Sequence, residues 1–149
     1  MNKIEQQISR FKKLDIWEIV KTTIYENKEI LIDLVTEQLN KGETRTGRTA
    51  EYTLYGGESP YAEAKAAIGT YDMSIFPYVN LYDEGDFQDK MDIIIHSEFI
   101  EILSNDEKAS KLELEYTNEI YEPNEARMVV LKDHILPIVN QKIRNALGY

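Results

Sequence analysis

Residues 80–103, NLYDEGDFQDKMDIIIHSEFIEIL, decide how this chain is read. A knot of carboxylates surrounds Gly85, and an apolar run with His96 at its end follows directly. One reading makes Asp83, Asp86 and Asp89 with His96 a metal or catalytic site. The other makes the knot a turn that launches a β-hairpin. A calcium loop needs oxygen ligands at positions 1, 3 and 5 and glycine at 6. Counted from Asp83, positions 3 and 5 are Gly85 and Phe87, so the pattern fails. Asp83, Asp86, Asp89 and Asp92 recur every third residue and can share one helical face. Such a face is ordinarily solvated, whereas a two-metal nuclease needs carboxylates converging from separate elements. The turn reading explains more residues. Gly85 supplies a permissive backbone, and Leu81 and Phe87 point into a core on either side of it. Met91, Ile93 and Ile95 then alternate with Asp92, Ile94 and His96. Residues 99–103 are again β-rich, so Ser97-Glu98 is the expected turn of a hairpin near 91–103.

Upstream, residues 4–13 read as a short amphipathic helix with Ile4, Ile8 and Phe11 on one face. Asp15 and Glu18 have capping-box spacing. From there apolar residues keep helical spacing through Ile16, Ile19, Val20, Ile24, Leu31, Leu34, Val35 and Leu39 to a C-cap at Gly42. The expectation is one long helix. Residues 43–60 have no sustained period and predict a loop or irregular β-arm. Residues 60–68 predict a short helix begun by Pro60 and ended by Gly69. Residues 70–79 read as extended, with Pro77 interrupting any ladder. Tyrosines are dense here, and tyrosine suits both local cover and contacts between proteins.

Downstream, Ser104-Asn105-Asp106 stops the second strand and caps a helix over 107–116. Asn124 caps a terminal helix closed by Gly148, with Met128, Leu131, Ile135, Ile138, Val139, Ile143 and Leu147 as its stripe. Pro137 inside it predicts a kink or a restart. The order argues for a single α+β domain over 1–149, a small antiparallel sheet covered by long N- and C-terminal helices.

The chain of 149 residues contains no cysteine, which removes disulfides, thiolate metal sites and a cysteine nucleophile. Residues 1–13 lack the apolar core of a secretory signal, and no window has the apolar length of a membrane span. The net charge of −10 is uneven: +1 over residues 1–50, −14 over 51–126 and +3 over 127–149. So acidic a middle repels a nucleic-acid backbone and suits a solvated face or a basic partner. His96 and His134 form no HExxH or His-x-His motif, and no GxSxG or GxxxxGK[ST] occurs. No catalytic, cofactor-binding or metal residue is therefore assigned.

Taken together, the helix ending in LVTEQLNKGETRTGRTAEY, the VNLYDEGDFQDKMDIIIHSEFIEI stretch and the terminal ILPIVNQKIRNAL resemble the tail-completion, neck and minor-tail structural proteins of tailed phages. That family has an N-x-x-Q-L-x-x-G type helix end, then a Leu-x-Asp-x-Gly-x-Phe/Leu turn before a hairpin, then a basic terminal helix. The matching positions are Gln38-Leu39 with Gly42; Leu81, Asp83, Gly85 and Phe87; and Pro137 with Arg144. The resemblance implies a virion protein, found in the host cytoplasm during assembly, that works as a homo-oligomeric ring at the head–tail connector. It implies no cofactor and no membrane. The implied neighbours are portal, neck and tail proteins, with DNA only as cargo passing through a lumen. Residues 43–82 are then the candidate projecting arm, with Tyr52, Tyr55, Tyr61 and Tyr71 as its subunit contacts. Two alternatives stand beside it. One is a metal-dependent phosphoesterase or nuclease using the 83–96 acidic cluster. The other is an acidic regulator that binds a basic partner.

Overall fold

The computed structural model describes residues 2–52 and 59–149. Its described elements are α1 (Lys3–Lys12), α2 (Ile16–Glu26), α3 (Lys28–Asn40), α4 (Pro60–Ala67), α5 (Asp86–Asp89), β1 (Met91–Ile95), β2 (Ile100–Ser104), α6 (Ala109–Tyr116) and α7 (Glu125–Leu147). Short 3-10 turns lie at Met73–Ile75 and Thr117–Ile120. The fold is α+β, as the order of elements predicts.

The hairpin forms where the alternation places it. β1 and β2 pair antiparallel with Met91 opposite Ser104, Ile93 opposite Ile102 and Ile95 opposite Ile100. Met91 and Ile93 are buried and Ile94 faces out. The His96 N–H donates to the Phe99 carbonyl at 2.9 Å and closes the turn. Trp17 Nε1 and Lys21 Nζ both donate to the Ser97 carbonyl, at 2.8 and 3.3 Å, and tie α2 to that turn. Met91 and Ile93 then join Leu31, Val35 and Leu39 of α3 and Leu131, Ile135 and Val139 of α7 in one core.

The single long N-terminal helix is not what forms. It breaks at Asn27, whose φ of −116° and ψ of 26° leave the helical region. The Asn27 side chain donates to the Thr23 carbonyl at 2.8 Å. Asparagine offers the backbone a local alternative to the helix ladder, and the apolar period on either side cannot reveal which wins. Asp15 caps α2 by accepting from the Glu18 N–H at 2.9 Å, while the Glu18 carboxylate pairs with Lys21 at 2.9 Å. The full reciprocal capping box occurs instead at Asn2 and Glu5, before α1.

α7 continues through Pro137 as one helix, so the helix does not restart there. Pro137 is exposed, whereas Ile135 and Val139 beside it are buried. A proline on the solvent side sits where helix hydrogen bonds already lengthen, and burial of the opposite stripe holds the rod together. Asn124 accepts from the Arg127 N–H at 3.1 Å, and Gly148 closes the helix in the left-handed region.

Gln38 joins the two ends of the core. It is fully buried; its Nε2 donates to the Glu122 carbonyl at 2.9 Å and its Oε1 accepts from the Asn124 N–H at 2.6 Å. This side chain fixes the C-terminal end of α3 to the entry of α7. A buried backbone group deprived of its partner costs about 1–3 kcal/mol. Gln38→Leu keeps the volume and removes both bonds, so chemical denaturation is expected to show a loss of about 2–3 kcal/mol. A loss under about 0.5 kcal/mol, the size of a neutral surface change, contradicts this role.

Candidate functional site

The turn before the hairpin is built as its residues demand. Gly85 has φ of +91°, and a Cβ there would lie 2.9 Å from Tyr82 Oη. Phe87 is buried beside Tyr121, with ring centroids 5.9 Å apart. Leu81 packs against the core at a φ of +54°, and its carbonyl accepts from Gln88 Nε2 at 3.1 Å. Asn80 organises the approach. Its Oδ1 accepts from Lys65 Nζ at 2.9 Å and from the Tyr82 N–H at 3.1 Å, and its Nδ2 donates to the Thr70 carbonyl at 2.6 Å.

The carboxylates do not converge. Asp83 pairs with Lys108 of the loop before α6 at 3.0 Å, and Asp92 on β1 pairs with Lys28 of α3 at 2.8 Å. Asp86 and Asp89 sit on the one-turn α5 between them. His96 Nε2 lies 2.7 Å from Glu101, and its ring stacks on Phe99 at 4.3 Å. His134 stands exposed on α7. Among the described residues, no three His, Asp or Glu side chains gather as a metal site. Asp83 and Asp92 each tie their own segment to a lysine of another. The Lys28 hydrogen bond and the Ile93 N–H hold Asp92 below the ordinary carboxylate range, and Asp92 in turn raises Lys28.

The tyrosines do meet. Tyr52 lies edge-on to Tyr61 at 5.5 Å and to Tyr71 at 5.6 Å between centroids. Tyr71 is buried and its hydroxyl donates to the Tyr78 carbonyl at 2.7 Å. Burial pushes the Tyr52 and Tyr71 hydroxyls up. Tyr61 is 53% exposed; Tyr55 lies outside the described residues. Nor does the described part of 43–82 project. The Arg45 N–H donates to the Glu119 carbonyl, Arg45 pairs with Glu122, and Thr46 donates to Glu119. Thr49, Ala62 and Asn80 are buried. Gly42, at φ of +64°, brings the chain so close that a Cβ would lie 2.7 Å from that of Tyr78. Threonine and asparagine side chains satisfy this irregular backbone locally, and the segment lies down on the body. Tyr71 is thus part of the interior and cannot itself meet another subunit.

Three features are absent from the sequence-based expectation. Lys65 is buried with an amide oxygen as its hydrogen-bond partner, and desolvation lowers its pKa; a lysine within PYAEAKAAI gives no sign of this. A groove of about 380 Å³ opens beside β2, floored by Ile24, Phe99, Ile102, Met128 and Leu131. It is made by five elements and has no local signature. Finally, α1 buries none of its residues: Ile4, Ile8 and Phe11 are 68%, 50% and 57% exposed. The amphipathic pattern is plain in the sequence, but no described residue buries the face.

No protein-family model, curated protein or solved structure matches the chain.

Asp106 gives the pinning role a pH signature. Its side chain is 2% exposed and pairs with Lys90 at 2.9 Å. The Lys108 N–H first, and then Lys90, hold its carboxyl below the ordinary range. A depressed carboxylate stabilises the fold above its unfolded value of about 3.9, and the contribution is lost as pH falls through the lower folded value. Asp106→Asn is therefore expected to be less stable than wild type at neutral pH, with the gap narrowing below about pH 4. Urea melts across pH measure it, and a gap independent of pH contradicts it.

Proposed function

We propose that the chain is a virion structural protein of a tailed bacteriophage, a ring-forming neck or tail-completion subunit of the head–tail connector. It acts by assembly rather than by catalysis. The observation that carries this reading is α1: a capped helix on the outside of the body, presenting Ile4, Ile8 and Phe11 to solvent. A contiguous exposed apolar face marks a contact surface. The resemblance at Gln38-Leu39, Gly42 and the Leu81–Phe87 turn supplies the kind of assembly. The partners are other copies of the chain and neighbouring portal, neck or tail proteins, with DNA only as passing cargo.

The acidic side chains support the same reading. Asp83, Asp92 and Asp106 brace the turn, the hairpin and α6 through lysines of other elements. The net charge of −14 over residues 51–126 suits a wall that DNA slides past or a basic neighbouring protein.

The test is composition of the particle. Purified phage particles from cells that encode the chain are expected to contain it at a fixed copy number, measured by quantitative mass spectrometry. Its absence from purified particles, with the protein recovered on a basic cellular protein instead, favours the acidic-regulator reading and overturns this one.

A further inference from the structure

We infer that α1 of one copy docks into the groove beside β2 of the next, joining subunits head to tail. The inference rests on the ring reading and names the contact that builds the ring.

Four observations carry it. First, the anchors have the right spacing. Ile4, Ile8 and Phe11 fall at i, i+4 and i+7, the pattern with which an amphipathic helix fills an apolar groove. Second, the groove has the matching chemistry, with an apolar floor that includes half-exposed Phe99 and Met128. Third, the charges are complementary. Residues 3–13 carry Lys3, Arg10, Lys12 and Lys13 against Glu5 alone. The groove is lined by Glu101, Glu113 and Glu122 and by no lysine or arginine. Arg45 pairs with Glu122 and His96 bonds Glu101, whereas the Glu113 carboxylate accepts from the Tyr121 hydroxyl at 2.7 Å and pairs with no lysine or arginine among the described residues. Charges of opposite sign steer such an encounter and set its orientation.

Fourth, the two surfaces lie at opposite ends of one rod. α1 is tied to the end of α7, where the Arg10 guanidinium donates to the Leu147 carbonyl at 3.0 Å. The groove takes Met128 and Leu131 from the beginning of α7. At 1.5 Å per residue these points are about 24–28 Å apart. While α1 stays on the end of α7, it does not reach the Met128 and Leu131 end of its own groove, and a second copy can. Two different surfaces in contact make a heterologous interface, which closes into a ring when the rotation allows.

Ile8→Glu and Met128→Glu test this. Both positions are about half exposed in the single chain, and thermal melts confirm that each variant folds. Each places a carboxylate in the buried contact, so each is expected to weaken self-association about tenfold or more in sedimentation measurements. The decisive arm is the mixture. Ile8→Glu keeps an intact groove and Met128→Glu keeps an intact α1. An equimolar mixture is therefore expected to give a one-to-one heterodimer that stops growing. Variants that associate like wild type, or a mixture that stays monomeric, overturn the docking mode. Neither result touches the presence of the protein in particles, so failure of this contact and failure of the virion reading are separable.

Discussion

The architecture depends on one buried amide. Gln38 is the only side chain described here that bonds both the residue before Pro123 and the N-cap of α7, at 2.9 and 2.6 Å. It sits next to Leu39, itself fully buried. α3 therefore ends at a fixed place relative to the start of α7, and that joint also anchors the loop beyond it. The Glu43 carboxylate accepts from Arg127 at 2.7 Å and from Asn124 Nδ2 at 3.3 Å. A buried polar group fully satisfied in one geometry specifies that geometry, because every alternative leaves backbone groups unpaired.

From this joint the outer surfaces follow. With the entry of α7 held against α3, its buried stripe of Leu131, Ile135 and Val139 closes over β1 and α3. Its far end is left to carry α1 through Arg10. Met128 is turned toward β2 and becomes groove floor rather than core. A single rigid helix thus sets the distance between an exposed apolar helix and an open apolar groove. The acidic side chains contribute by bracing: pairs such as Lys28–Asp92 and Lys90–Asp106 connect elements distant in sequence.

Local signals were readable from the sequence. The Asn124 cap, the Gly148 stop, the Gly85 turn and the 91–103 alternation each depend on residues a few positions apart, and each forms as expected. Competing local signals were not. At Asn27 the helical period continues while the side chain favours a backbone bond that breaks the helix. At Pro137 the helix survives because the breaker faces solvent. Features made by several elements were hidden altogether. The tyrosines of 43–82 read equally as cover or as contact, and only packing separates buried Tyr71 from exposed Tyr61. The groove combines α2, α3, β2, α6 and α7, so no window of sequence contains it. The apolar face of α1 was legible, but the groove beside β2 was not.

The central claim is that copies of this chain join through two different surfaces. Carboxyl-to-amine cross-linking of an equal mixture of light and heavy isotope-labelled protein tests it most directly. The account predicts cross-links from Lys3, Lys12 or Lys13 to Glu101, Glu113 or Glu122 that join light to heavy copies. Linkage of α1 to α1 between copies, or α1 links confined within one copy, contradicts it.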